Sequence, residues 1–82
     1  MDGWLQHCAL SAHETLEIAF GAVGWRLAYL RRGERLLCYE GDAAGARRVR
    51  GGRAGAYALR SVEQLRYDFE RELTELRMAE GA

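Results

Sequence analysis

Few residues in this chain have the type and spacing to do chemistry. His7, Cys8, His13 and Cys38 are the only soft metal ligands, and they match no zinc pattern such as paired C-x-x-C. No metal site and no cofactor is expected from them. His13 and Glu14 form a nominal acid/base pair, but neighbours in a strand point to opposite faces. Nothing near them supplies a nucleophile with an orienting third group. Ser11 and Ser61 read as helix caps. The residues therefore point away from an enzyme.

The charges are more informative. Twelve basic and twelve acidic residues give a formal net charge of zero, so no global field draws the chain toward nucleic acid or a membrane. Locally the balance is broken. Residues 1–40 hold four Arg against five acids, a net of −1. Residues 41–60 hold five Arg against Asp42, a net of +4, and residues 61–82 hold three Arg against six acids, a net of −3.

The basic cluster is Arg47, Arg48, Arg50 and Arg53, around Gly51-Gly52. Flexible glycines let guanidinium groups reach phosphates, and each phosphate neutralised releases counterions. Nucleic-acid binding through these four residues is one reading. The Arg-Gly-Gly triplet is similar to RNA-binding tails, but those repeat it and this chain has one copy. No RNP-like strand or helix-turn-helix pattern accompanies it. The other readings are contact with an acidic protein surface and a solvated loop. All twelve basic residues are Arg, and Lys, Asn and Pro are absent, as in proteins from GC-rich genomes.

The acidic counterpart is Asp68, Glu72 and Glu75, on one flank of a predicted helix. Asp68 and Glu72 are like charges at i,i+4, which costs a few tenths of a kcal/mol. Such a flank faces either the Arg segment of its own chain or basic groups on a partner. Trp4, Trp25, Tyr29, Tyr39 and Tyr57 form the aromatic set. They suit core packing, and Trp and Tyr also anchor protein interfaces. Trp25, Tyr29 and Tyr39, with the three acids, are the candidate protein-contact residues.

The elements that must position these groups follow from periodicity. Val62, Leu65, Phe69, Leu73 and Leu76 fall within a stripe of roughly 80° at about 100° per residue, which predicts an amphipathic helix over 62–78. Ser61 with Gln64 gives it a capping-box start, and Gly81 an end signal. Ala56–Arg60 reads as a short strand leading into the cap. Leu16, Ile18 and Phe20 alternate as a strand does, followed by 25–30 and 35–39. A rival reading makes residues 12–32 one helix, since Leu16, Phe20, Val23, Leu27 and Leu30 keep helical spacing. That helix carries Gly21 and Gly24 at about 1 kcal/mol each, so strands are preferred. Trp4–Ala12 reads as a short N-terminal helix, and Gly41–Gly55 as a long loop or loose hairpin.

The expected fold is α+β: a four-stranded antiparallel meander with the C-terminal helix on one face. Both sheet faces then carry apolar groups, and one helix covers only one of them. The other face calls for the N-terminal segment, a second subunit or a target protein. At 82 residues the chain is one domain with a small core, for which association is a reasonable expectation. Cys8 and Cys38 are expected as buried free thiols. The start Met1-Asp2-Gly3-Trp4 lacks signal-peptide features, and no apolar run is long enough to span a bilayer. The chain reads as cytoplasmic in a bacterial host.

Leu10-Ser11, Ile18-Ala19-Phe20 and Ser61-Val62-Glu63-Gln64-Leu65 give the chain a layout that resembles one family of small phage anti-CRISPR proteins. Those are compact sheet-plus-helix inhibitors that bind a bacterial surveillance complex. The likeness covers short patches separated by unmatched loops, and no functional residue is carried across. It implies a small inhibitor or adaptor. The leading expectation is a non-enzymatic protein-binding module of that kind. Nucleic-acid binding and a homodimeric structural domain stand as alternatives.

Overall fold

Alternating side chains and tight turns run the chain back and forth six times before it enters a helix. The computed structural model describes residues 3–81, with only the backbone of Trp4, Glu80 and Gly81. The strands are β1 (Gly3–Ala9), β2 (Glu14–Gly21), β3 (Trp25–Arg31), β4 (Glu34–Asp42), β5 (Gly45–Arg50) and β6 (Arg53–Tyr57). Helix α1 (Val62–Gly81) closes the fold. The six strands form one antiparallel sheet in sequence order. The α+β class and the terminal helix stand as expected, while the sheet has six strands where four were predicted.

The two added strands correct two readings. A short helix is expected over residues 4–12, but Gly3–Ala9 instead pair with β2, from Gly3↔Gly21 to Ala9↔Thr15. The stretch 41–55 forms β5 and most of β6 around a two-residue turn, so the hairpin alternative holds and the loop does not. That turn places Gly51 at φ 59° and Gly52 at φ 81°, the left-handed pair a tight hairpin needs. Arg32-Gly33 makes the same turn between β3 and β4, with Arg32 at φ 53°. Strands, not one helix, occupy 14–31. Ser11 therefore caps no helix, and its Oγ instead accepts a hydrogen bond from the His13 amide at 3.3 Å.

Register sorts the side chains onto two faces. Leu16, Tyr29 and Leu37 are directly opposite one another, as are Ile18, Leu27 and Tyr39, and these define the face under α1. A register shift at Tyr29/Leu30 leaves Leu36 as the extra residue on β4, and it too packs against the core. The buried centre is Tyr29, Leu37, Tyr39, Leu65 and Phe69. Tyr39 makes edge-on ring contacts with Tyr57, at 4.9 Å between centroids, and with Phe69, at 5.8 Å.

The helix starts where the sequence pattern places it. The Ser61 Oγ accepts from the Gln64 amide at 3.0 Å, and the Ser61 carbonyl accepts the first helical bond from Leu65. The return half of the capping box is absent, because the Gln64 side chain donates to Asp68 instead. The helix runs to Gly81 rather than stopping at Met78.

The far face is closed differently. Ala28 and Cys38 are buried there, opposite one another across β3 and β4. Glu17 and Arg26, also on that face, meet Arg35 and His7 at Glu17. The contacts are Arg26 Nε at 3.1 Å, Arg35 at 3.2 Å and His7 at 3.2 Å. Arg47 pairs with Glu40 in the same layer. Long side chains lying over small ones exclude water with their stems and leave their heads solvated.

Candidate functional site

Strand alternation splits the Arg cluster. Arg48 and Arg50 lie on the helix face, opposite Tyr39 and Leu37, while Arg47 lies on the far face opposite Glu40. Arg53 pairs in register with Arg50 at the hairpin end and is exposed. The helix supplies the answering acids. Glu72 is the only buried charged side chain among the described residues, about 5% exposed. Arg48 donates to it from Nε at 2.5 Å and also through its terminal nitrogen. Arg50 donates at 3.0 Å, and also reaches Glu75 at 3.4 Å. The Tyr39 hydroxyl donates to the same carboxylate.

These contacts set the charge states. Burial works to raise the Glu72 pKa, but Arg48, Tyr39 and Arg50 outweigh it and hold the carboxyl at about 2. Burial and the adjoining carboxylate push the Tyr39 hydroxyl well above its ordinary range. The Arg48 guanidinium is held more firmly protonated by its bond to Glu72. The acidic flank thus faces its own chain's arginines, one of the two arrangements the sequence allows.

The same device recurs at both ends of the helix. Near its start, Tyr57 donates to Asp68 at 2.6 Å. Burial and that bond push the tyrosine up to about 12. Near its end, Tyr29 donates to Glu14 at 2.5 Å, and Arg77 grips Glu14 with two nitrogens at 2.9 and 3.3 Å. The bond from Tyr29 leads in holding the Glu14 carboxyl at about 2, with Ser11 and Arg77 adding to it. Arg31 donates to the Tyr29 hydroxyl at 2.8 Å and stacks over its ring. Three sheet tyrosines and three carboxylates tie down one helix. The sequence offers Glu14 only as half of a nominal acid/base pair with His13, and gives no link between it and Arg77. The signal was indirect: a tyrosine in a core strand needs a partner for its hydroxyl.

Several candidate contact residues are therefore structural. Tyr29 and Tyr39 are buried under the helix, not displayed on an open face, so the expectation of these two as contact residues is corrected. Asp68, Glu72 and Glu75 are engaged within the chain. Arg47, Arg48 and Arg50 are paired with acids, and the four arginines form no continuous basic strip. Cys8 is exposed, not buried as expected, while Cys38 is buried. Burial, with Glu40 nearby, raises the Cys38 thiol. No group of three or more His, Cys, Asp or Glu among the described residues is placed to hold a metal ion.

Trp25 behaves differently. It lies at the β2–β3 end of the sheet, half-buried, with its indole over Gly41. A Cβ at Gly41 would sit 2.7 Å from the ring, so only glycine admits this stacking. α1 crosses the sheet diagonally, from Tyr57 on β6 to Glu14 on β2. It does not reach this corner. Phe20, directly opposite Trp25, is 42% exposed, and Val23 in the turn is 88% exposed. The grooves here are lined by Phe20, Val23, Trp25 and Asp42, with no residue of α1. This is an apolar end with polar residues at its rim.

No protein-family model, curated protein or solved structure matches the chain. The described residues contain no helix long and apolar enough to cross a membrane.

Proposed function

We propose that this chain is a non-enzymatic protein-binding module that presents the β2–β3 end of its sheet to a protein partner. The observation that carries the reading is the apolar corner where Phe20 and Val23 are exposed beside the half-buried Trp25, a corner the diagonal helix does not reach. Exposed aromatic and branched side chains on a rigid sheet end contribute large contact area at little cost in conformational entropy. The resemblance of short sequence patches to small phage inhibitors makes a bacterial host complex the kind of target to try first.

The ionic groups give a nucleic-acid reading less support. Arg48 and Arg50 already hold Glu72, and Arg47 holds Glu40. A phosphate would have to displace those carboxylates.

The test is retention of a host protein by immobilised wild type, compared with Val23→Asp and Phe20→Ser variants. Val23 is nearly fully exposed, so Val23→Asp leaves the fold intact, as checked by circular dichroism. A partner held by wild type and released by both variants supports the reading. Equal retention by all three overturns it.

A further inference from the structure

The sheet is open, so it has two edge strands, β1 and β6. An edge strand presents unpaired N–H and C=O groups, and monomeric proteins usually blunt such edges with charge, proline, bulges or short length. β6 follows that practice: it has five residues and carries Arg53. β1 does not. It has seven residues, Gly3-Trp4-Leu5-Gln6-His7-Cys8-Ala9, with no Asp, Glu, Arg or Pro. Its ladder to β2 is continuous, with no bulge to twist the edge away.

From this contrast we propose that β1 pairs antiparallel with β1 of a second copy of this chain, joining two six-stranded sheets into one. The strand is suited to itself. Full overlap places Gly3 opposite Ala9, Trp4 opposite Cys8, Leu5 opposite His7, and Gln6 opposite its own copy on the two-fold axis. Paired residues in this register lie on the same sheet face in both copies, so both helices end on one side. No acid meets an acid and no arginine meets an arginine. Gln6 is the residue type suited to the axis, because a carboxamide carries both donor and acceptor and can bond to its own copy. Leu5, 57% exposed in the single chain, gains a cross-strand neighbour. The zero formal net charge adds no long-range repulsion between copies.

The pairing stands apart from the reading of the β2–β3 end, and neither depends on the other. It is tested on the full chain by sedimentation equilibrium. At roughly 100 µM, above a micromolar-class Kd, the expected mass is twice the 9.2 kDa of one chain. Gln6→Lys puts two ammonium groups together on the axis and is expected to weaken the dimer by at least about tenfold. A second measurement gains signal rather than losing it. Directly opposed residues have Cα atoms about 4.5–5.5 Å apart, within disulfide reach. Oxidation of a Gln6→Cys, Cys8→Ser double variant is expected to give a covalent dimer. A Leu5→Cys, Cys8→Ser variant, displaced from the axis, is expected to form no covalent dimer. A monomeric wild type overturns the proposal. So does a dimer that survives Gln6→Lys while Gln6→Cys fails to cross-link.

Discussion

Glu72 and Glu17 are each ringed by three polar groups, on opposite faces of one sheet, and they hold different things together. Glu72 sits beneath the helix, about 5% exposed, with two guanidinium groups and a tyrosine hydroxyl on it. Glu17 is 13% exposed and gathers Arg26, Arg35 and His7 under solvent. The first carboxylate joins helix to sheet through direct side-chain bonds. The second joins strands to one another on the outside. A buried ion pair is costly to break because the remaining charge is stranded, whereas a solvated one loses little. The far face therefore needs no helix: small residues under long charged ones close it.

The largest effect is expected where the helix face is most apolar. Phe69→Ala removes a buried ring from the contact with Tyr39 and is expected to cost about 3–5 kcal/mol. That is a large share of the roughly 5–15 kcal/mol typical of a whole domain. Val49→Ala on the far face of β5, which is partly solvated, is expected to cost about 1 kcal/mol. Urea unfolding of both variants measures the difference. Equal costs would mean that the two faces are not distinct in the way the geometry implies.

The two carboxylates give the next contrast. Glu72→Gln strands Arg48 and Arg50, each more than a third exposed, so the cost is about 2–3 kcal/mol rather than the full buried-pair penalty. Glu17→Gln is expected to cost about 1 kcal/mol or less. Acid acts on both, because burial works to raise the Glu17 carboxyl but His7, Arg26 and Arg35 hold it below its ordinary value. Glu72 falls from an ordinary 4.5 to about 2 on folding, so its contribution is present above pH 4.5 and is lost as pH falls toward 2. Glu14 behaves alike. Wild type should lose stability steeply across that window, and Glu72→Gln should lose less because one of the linked carboxylates is gone while Glu14 and Glu17 remain. Matching slopes would remove Glu72 from the acid response.

The helix, its Ser61 cap and strands β2 to β4 were legible because their apolar spacing fits one reading once Gly21 and Gly24 disfavour a helix over residues 12–32. β5 was not, since Arg47-Arg48-Val49-Arg50 alternates in charge partners rather than in hydrophobicity. Arg48 and Arg50 turn to Glu72, and Arg47 turns to Glu40. The clue lay on the helix, where Asp68 and Glu72 repel unless cations or hydroxyls face them. β1 misled for a related reason. Trp4, Leu5 and Cys8 fit helical spacing, and Gln6 and His7 offer no clear polar alternation to oppose it. The open apolar corner was beyond reach, because it depends on the diagonal path of the helix and not on any local pattern.

The smallest effect tests whether the far face is closed without help. Cys8 is exposed and Cys38 is buried beneath the Glu17 cluster, so a thiol reagent should label one cysteine quickly and the other slowly. Burial also holds the Cys38 thiol protonated, which slows it further. In a Cys8→Ser background, Cys38 labelling should therefore track opening of the fold. Adding Arg35→Ala removes one of the long side chains holding Glu17 while leaving the helix face untouched. Labelling should then quicken several-fold with little change in global stability, since the lost ion pair is largely exposed. An unchanged rate would show that the strands alone shield Cys38. A rate that rose only in step with global unfolding would make the two faces one cooperative unit.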